Sequence, residues 1–229
     1  MMFPNDSGPV YRETLERGFP VEPWNTASNL IFLIIVIYWS LRIYKDRRKY
    51  LFLKFAIPIL FIGYVGGTLF HGTRSHEIWL LMDWVPIMIL CVAASIYYFI
   101  RLNAGKLMIT MVSVLPFITA FSLQKAPIDP HLRSLIGYAT IAVVILFPFV
   151  QYMLRYARKQ GRILVAALFF FAVAIFFRTI DLKVDQKVFF MGTHWLWHSF
   201  GGIAVHFLIM YIFLTDGKPA AITPTQPFD

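Results

Sequence analysis

His194 and His198 stand four residues apart in the segment GTHWLWH. On a helix that spacing puts both imidazoles on one face, about 6 Å apart at Cβ. Two nitrogens so placed can hold one Zn²⁺ through bonds of about 2.0–2.1 Å. The plainer reading of such a pair is two histidines at a helix start that face water or lipid headgroups. His71, in GTLFH, offers a third nitrogen from a different segment. Three histidines and one open position is the layout of a catalytic zinc. Asp83, in LLMDWVPI, is the one carboxylate well inside an apolar run. It is either a structural partner for a buried arginine or amide, or a base. As a base it takes a proton from a water whose pKa the metal has lowered towards about 7, and the hydroxide attacks an acyl carbonyl. Pro86, three residues on, is expected to kink that helix.

The elements that carry these residues follow from composition. The chain has 229 residues, 59% of them hydrophobic and only 14% charged, where a soluble domain carries about 25% charged residues. Disorder requires the opposite balance, and a soluble globule would lack polar surface. The remaining solvent is the bilayer. The net charge of +9 does not point to nucleic acid, because the basic residues cluster beside apolar runs as in membrane loops. The single cysteine, Cys91, allows neither a disulfide framework nor a cysteine metal site. The start, MMFPNDSG, lacks the basic stretch of a cleavable signal peptide.

A spanning helix needs about 20 mostly apolar residues. Seven such spans are expected in an all-α bundle: Ser28–Ile43, Leu51–Phe70, Ile78–Ile100, Leu107–Leu123, Leu132–Leu154, Ile163–Ile180 and Gly192–Leu214. Residues 1–27 form an extracytoplasmic segment, 28–214 the membrane domain, and 215–229 a Pro-rich disordered tail on the cytoplasmic side. The orientation follows from the basic clusters Lys45–Lys49 and Arg155–Arg162, which belong inside. That places the N-terminus outside and the C-terminus inside. His71, Asp83, His194 and His198 then share one slab about 10 Å deep under the outer face, by helical rise. Ionisable groups at such depth are expensive, so each is a candidate functional residue.

Four segments carry a family resemblance: EPWNTASN at Glu22–Asn29, GTLFH at Gly67–His71, LLMDWVPI at Leu80–Ile87, and FRTID with GTHWLWH at Phe177–Asp181 and Gly192–His198. In order and spacing the chain resembles the alkaline ceramidase family, within a seven-span zinc hydrolase superfamily that also includes adiponectin-type receptors. The resemblance implies that His71, His194 and His198 bind zinc and that Asp83 activates water. It implies hydrolysis of a ceramide-like lipid amide to a long-chain amine and a fatty acid, the substrate entering sideways from the bilayer. The family has a serine four residues before the first histidine. Here that position is Gly67, so Thr68 beside it, or an unrelated group, takes the role. The family also has a calcium ion near the zinc. Glu22, Glu13 and Glu16 offer the hard oxygens Ca²⁺ prefers, with a solvated acidic segment paired to Arg12 and Arg17 as the alternative.

Other polar residues have simpler expectations. His76 and Glu77 are interfacial, His131 is solvated, and His206 is a hydrogen-bonded core histidine. Arg178 and Asp181 can pair with each other. Asn25 and Asn29 are expected to bond the backbones of other helices, and Trp195 and Trp197 to join an interfacial belt. A different function on the same fold is a receptor or regulatory protein with a structural zinc. Haem held by paired histidines is a third reading, which a colourless protein would dismiss. A bacterial inner membrane suits the short loops, with an internal eukaryotic membrane as the alternative.

Overall fold

The structure, a computed structural model, describes residues 4–46, 48–125, 146–185 and 187–216. Every regular element among them is helical. In chain order they are α1 (Pro23–Ser28), α2 (Leu30–Ile43), α3 (Leu51–Thr73), α4 (Glu77–Arg101), α5 (Lys106–Lys125), α6 (residues 146–156), a 3₁₀ turn at Arg158–Gln160, α7 (Gly161–Ile180) and α8 (His194–Asp216). Among the described residues, five helical stretches are long and apolar enough to cross a bilayer: Pro23–Ile43, Leu51–Thr73, Glu77–Arg101, Arg158–Ile180 and His194–Asp216. They mark a helical membrane protein. The expected span Leu107–Leu123 falls on α5. Most of the expected span Leu132–Leu154, His131, and the tail beyond residue 216 lie outside the described residues.

The first span shows why lipid is the solvent. α2 buries Ile35, Val36, Trp39 and Ile43 on one side. Its other side exposes Leu30, Ile34, Ile37 and Leu41, a stripe at the same helical period. A helix apolar on both faces has no water-compatible side. The span begins earlier than expected, because α1 supplies an extra turn that breaks at Asn29 before α2. The expected bonds from the two asparagines to other helices are replaced by local ones. The Asn25 side-chain amide donates to Glu22 Oε2, and that of Asn29 donates to the Asn25 carbonyl.

The described chain forms two compact units, one drawn from Met1–Leu90 and Arg162–Gly217, the other chiefly from Cys91–Gly161. In the second, Arg101 donates to the Tyr97 and Tyr152 hydroxyls at 2.7 and 2.6 Å, and Tyr98 packs edge-on against Tyr152. The first unit holds all the candidate site residues. There α1 packs on α3 and α8, and α2 on α3 and α8. One end of this unit gathers the α2–α3 connection and the end of α8, where the Tyr50 N–H donates to Asp216. The other end gathers the segment before α1, the end of α3 and the start of α8.

Close approach between α3 and α4 sets where Asp83 sits. At Gly66 any Cβ would overlap the Met82 backbone, and at Gly63 it would touch the Pro86 ring at 3.4 Å. Pro86 itself lies inside an unbroken α4. Gly201, by contrast, has open space where a Cβ would be. Gly66→Ala is therefore expected to destabilise the protein by about 1–3 kcal/mol through overpacking. Gly201→Ala is expected to be neutral or stabilising by up to about 1 kcal/mol through helix propensity. Unfolding of both variants in detergent reads the contrast; equal effects would remove the α3–α4 contact as a constraint.

Candidate metal centre

His71 lies two residues from the end of α3, and His194 and His198 lie in the first two turns of α8. All three are buried, and each offers a ring nitrogen within 4.8 Å of the others. Their ring centroids are 4.7–5.3 Å apart. Crowding three basic rings away from water costs free energy unless something binds them. His71 Nε2 and His194 Nδ1 are buried without a hydrogen-bond partner among the described residues. A metal ion satisfies both, so the set fits one. The expected convergence of three histidines from two distant segments is present.

The outward nitrogens of His71 and His198 are held in place. The His71 Nδ1–H donates to Glu22 Oε2 at 2.5 Å. This carboxylate–imidazole contact fixes the tautomer and leaves Nε2 as the metal-facing atom. His198 Nδ1 lies 2.9 Å from Ser28 Oγ and 3.2 Å from the Asn25 carbonyl oxygen. A carbonyl only accepts, so this nitrogen carries the proton and Nε2 is free to bind. The Tyr11 ring stacks on His194 at 3.8 Å between centroids and tilts against His71 at 5.5 Å. Burial pushes the Tyr11 phenol above its ordinary pKa; Arg178 opposes this, and Asp83 and Glu22 add to it.

The start of α8 is set by one carboxylate. Asp181 Oδ1 accepts from the Thr193 and His194 N–H groups at 2.6 and 2.9 Å, and Oδ2 accepts from the Arg12 N–H at 3.0 Å. It caps the helix from the preceding loop. Gly192 makes this possible: its φ is +69°, and a Cβ there would strike the Asp181 carboxylate. The expected Arg178–Asp181 pair is thus absent among the described ion pairs. Asp181 is consumed by backbone donors, and the Arg178 guanidinium lies 5.0 Å over the Trp197 ring.

Asp83 is half-buried on α4, near enough to His71, Arg178 and Glu22 for their charges to act on it. Its Oδ1 lies only 2.5 Å from where a Cβ on Gly67 would be, and Asn29 Oδ1 lies 3.1 Å from that point. The space that a serine at this position would fill is taken by the Asp83 carboxylate and the Asn29 amide. Thr68 is one helical position round, about 100° away. Its hydroxyl is buried without a hydrogen-bond partner among the described residues.

The acidic residues ahead of α1 separate. Glu13 accepts from the Trp24 and Asn25 N–H groups at 2.8 and 2.6 Å and so caps α1. Burial pushes its carboxyl up to about 7, although the two N–H bonds pull the other way. Glu22 accepts from Thr14, Asn25, His71 and Arg74. Burial alone would raise its pKa, but the His71 contact, then Thr14 and Arg74, hold it below the ordinary carboxylate range. Glu16 is exposed. Glu77, expected to be interfacial, is exposed and accepts from Ser7. His206 packs against the Tyr38 and Trp39 rings. Tyr11, Ser28, Arg74 and the capping role of Asp181 were invisible to sequence reasoning. Only the polar composition of the segment before α1 signalled that it does more than connect.

No protein-family model matches the chain, and no curated protein matches it. The geometry alone therefore ranks the residues. His71→Ala, His194→Ala or His198→Ala is expected to abolish stoichiometric metal retention. Glu22→Gln is expected to weaken metal affinity about 10–100-fold, as for other partners of ligating histidines. Metal analysis after dialysis against a weak chelator measures both, and retention by the histidine variants would remove the centre.

Proposed function

We propose that the protein is an intramembrane zinc amidohydrolase acting on ceramide-like lipid amides, a seven-span bundle with its N-terminus outside, in a bacterial inner membrane. The observation that carries this reading is the buried triad of imidazoles, two with orphaned nitrogens, beside a carboxylate on a different helix. The resemblance of the segments at Glu22–Asn29, Gly67–His71, Leu80–Ile87 and Gly192–His198 to the alkaline ceramidase family supports the choice of zinc and of an amide. His71, His194 and His198 would hold the Zn²⁺ ion, which would supply Lewis-acid polarisation of a carbonyl and acidification of a water.

The rest is done by the chain's own groups. Glu22 and the Asn25–Ser28 pair keep His71 and His198 in one tautomer and one orientation. The Tyr11 ring, stacked on His194, excludes water from that side. Asp83 takes the proton released as water attacks the amide carbon. When the C–N bond breaks, the same proton passes from the Asp83 carboxyl to the departing amine nitrogen. Atoms and charge balance: one water is consumed, and one amine and one fatty acid leave. The lipid chains lie against apolar surface. A groove of about 370 Å³ between α3 and α4, lined by Ile59, Ile62, Leu81, Met82, Val85, Pro86 and Ile89, carries no polar surface. Thr68, with its unpartnered hydroxyl, is the nearest donor in sequence to the Gly67 position for the amide oxygen.

The test is turnover of a labelled N-acyl lipid amide by purified protein of known zinc content. Asp83→Asn is expected to lower kcat at least about 100-fold, the range of lost general acid–base catalysis, while retaining zinc. Gly67→Ser, which must displace the Asp83 carboxylate, is expected to lower kcat in the same direction. Zinc-loaded wild type that turns over none of a panel of lipid amides would favour the structural-zinc receptor instead.

A further inference from the structure

Where the resemblance places calcium, the described residues present a fixed cation of the chain's own. Arg74 ends α3 with φ +45° and is fully buried. Its Nη1 donates to Glu22 Oε1 at 2.5 Å and to the Pro9 carbonyl at 3.1 Å. Its Nε and Nη2 grip Asp6 at 2.9 and 2.6 Å, and Nη2 also donates to the Gly8 carbonyl at 3.2 Å. A guanidinium has five N–H donors, and these five contacts use them all. Its flat face rests 4.6 Å from the Phe70 ring centre. The group is packed, paired and saturated, unlike a surface arginine.

The oxygens do not suit calcium. Ca²⁺ takes six to eight oxygens at about 2.3–2.6 Å. Of the three expected carboxylates, Glu22 is bound on one oxygen by Arg74 and Thr14 and on the other by His71 and Asn25. Both Glu13 oxygens accept from backbone N–H groups, and Glu16 is exposed. A dication placed against Glu22 would also meet the Arg74 charge at close range, where repulsion is weakly screened.

We infer that Arg74, clamped between Asp6 and Glu22, stands in for calcium as the resident cation of this centre, which makes the protein calcium-independent. Arg74 is a positioning residue. It holds one Glu22 oxygen so that the other stays on the His71 Nδ1–H, and it fastens the chain ahead of α1 to the end of α3, where the Asn5 N–H also donates to the Arg74 carbonyl. The inference rests on the metal-centre reading only through His71; the two cations are tested by separate measurements.

The experiment uses the purified full-length chain in detergent, dialysed against EGTA or millimolar CaCl₂, with Tm, bound calcium and bound zinc measured. Wild type is expected to bind no calcium and to show the same Tm and zinc content in both buffers. Arg74→Met, which removes the charge and the donors between Asp6 and Glu22, is expected to lose Tm, to bind zinc about 10–100-fold more weakly, and to recover Tm when calcium is added. Arg74→Lys keeps the charge and is expected to stay indifferent to calcium. Stoichiometric calcium in wild type, or a drop in its Tm in EGTA, overturns the proposal whether or not the variants fold. So does a folded Arg74→Met protein with unchanged zinc affinity. Wild type lacking zinc would sink the hydrolase reading and leave the calcium result legible.

Discussion

The centre hangs on one buried carboxylate. Glu22 has no solvent contact, yet it stays ionised because four donors converge on its two oxygens. Burying a lone carboxylate is prohibitive; burying one with a guanidinium, an imidazole, a hydroxyl and an amide is not. Those donors come from the segment ahead of α1, from α1 and from α3. Glu22 is thus the point at which three stretches of chain acquire one geometry. Removing it would leave Arg74 with Asp6 as its one carboxylate partner and release His71 together.

Rigidity at the other helices comes from small residues. The α3–α4 contact at Gly66 brings backbone against backbone, so Asp83 reaches its position through packed helices and not through a long side chain. Gly202 plays the same part for α8, since a Cβ there would strike the Ile31 side chain on α2 at 2.6–2.9 Å. In lipid, where helices gain nothing hydrophobic by associating, such close packing is a main source of cohesion. Two histidines on α8, one on α3 and the carboxylate on α4 are therefore placed with the help of two helix contacts that depend on glycine.

Much of this could be read from the chain. The bounds of α4, Glu77–Arg101, sit one residue either side of the expected Ile78–Ile100, because long apolar runs ending in charged residues leave little choice. The histidine triad was legible because imidazoles are conspicuous inside apolar spans. What escaped is non-periodic. Arg74 has no periodic or motif signal in the sequence, yet it bonds residues 52 and 68 positions away. Tyr11 sits in a polar stretch with no repeating pattern, and its stacking partner is His194. The expected Arg178–Asp181 pair rested on helical spacing, but capping unsatisfied N–H groups at the start of α8 took precedence for Asp181.

Asp181 joins two events that look separate. One of its oxygens secures the backbone at Arg12, next to the ring that covers His194; the other secures the backbone that launches α8. The Arg12 guanidinium adds a second tether, donating to the Leu182 and Val184 carbonyls. Peeling the N-terminal segment away from the helices would therefore loosen the first turn of α8 as well. The cover and two of the three clustered imidazoles share a latch, so exposing the candidate centre and loosening the geometry that would hold a cation become a single transition.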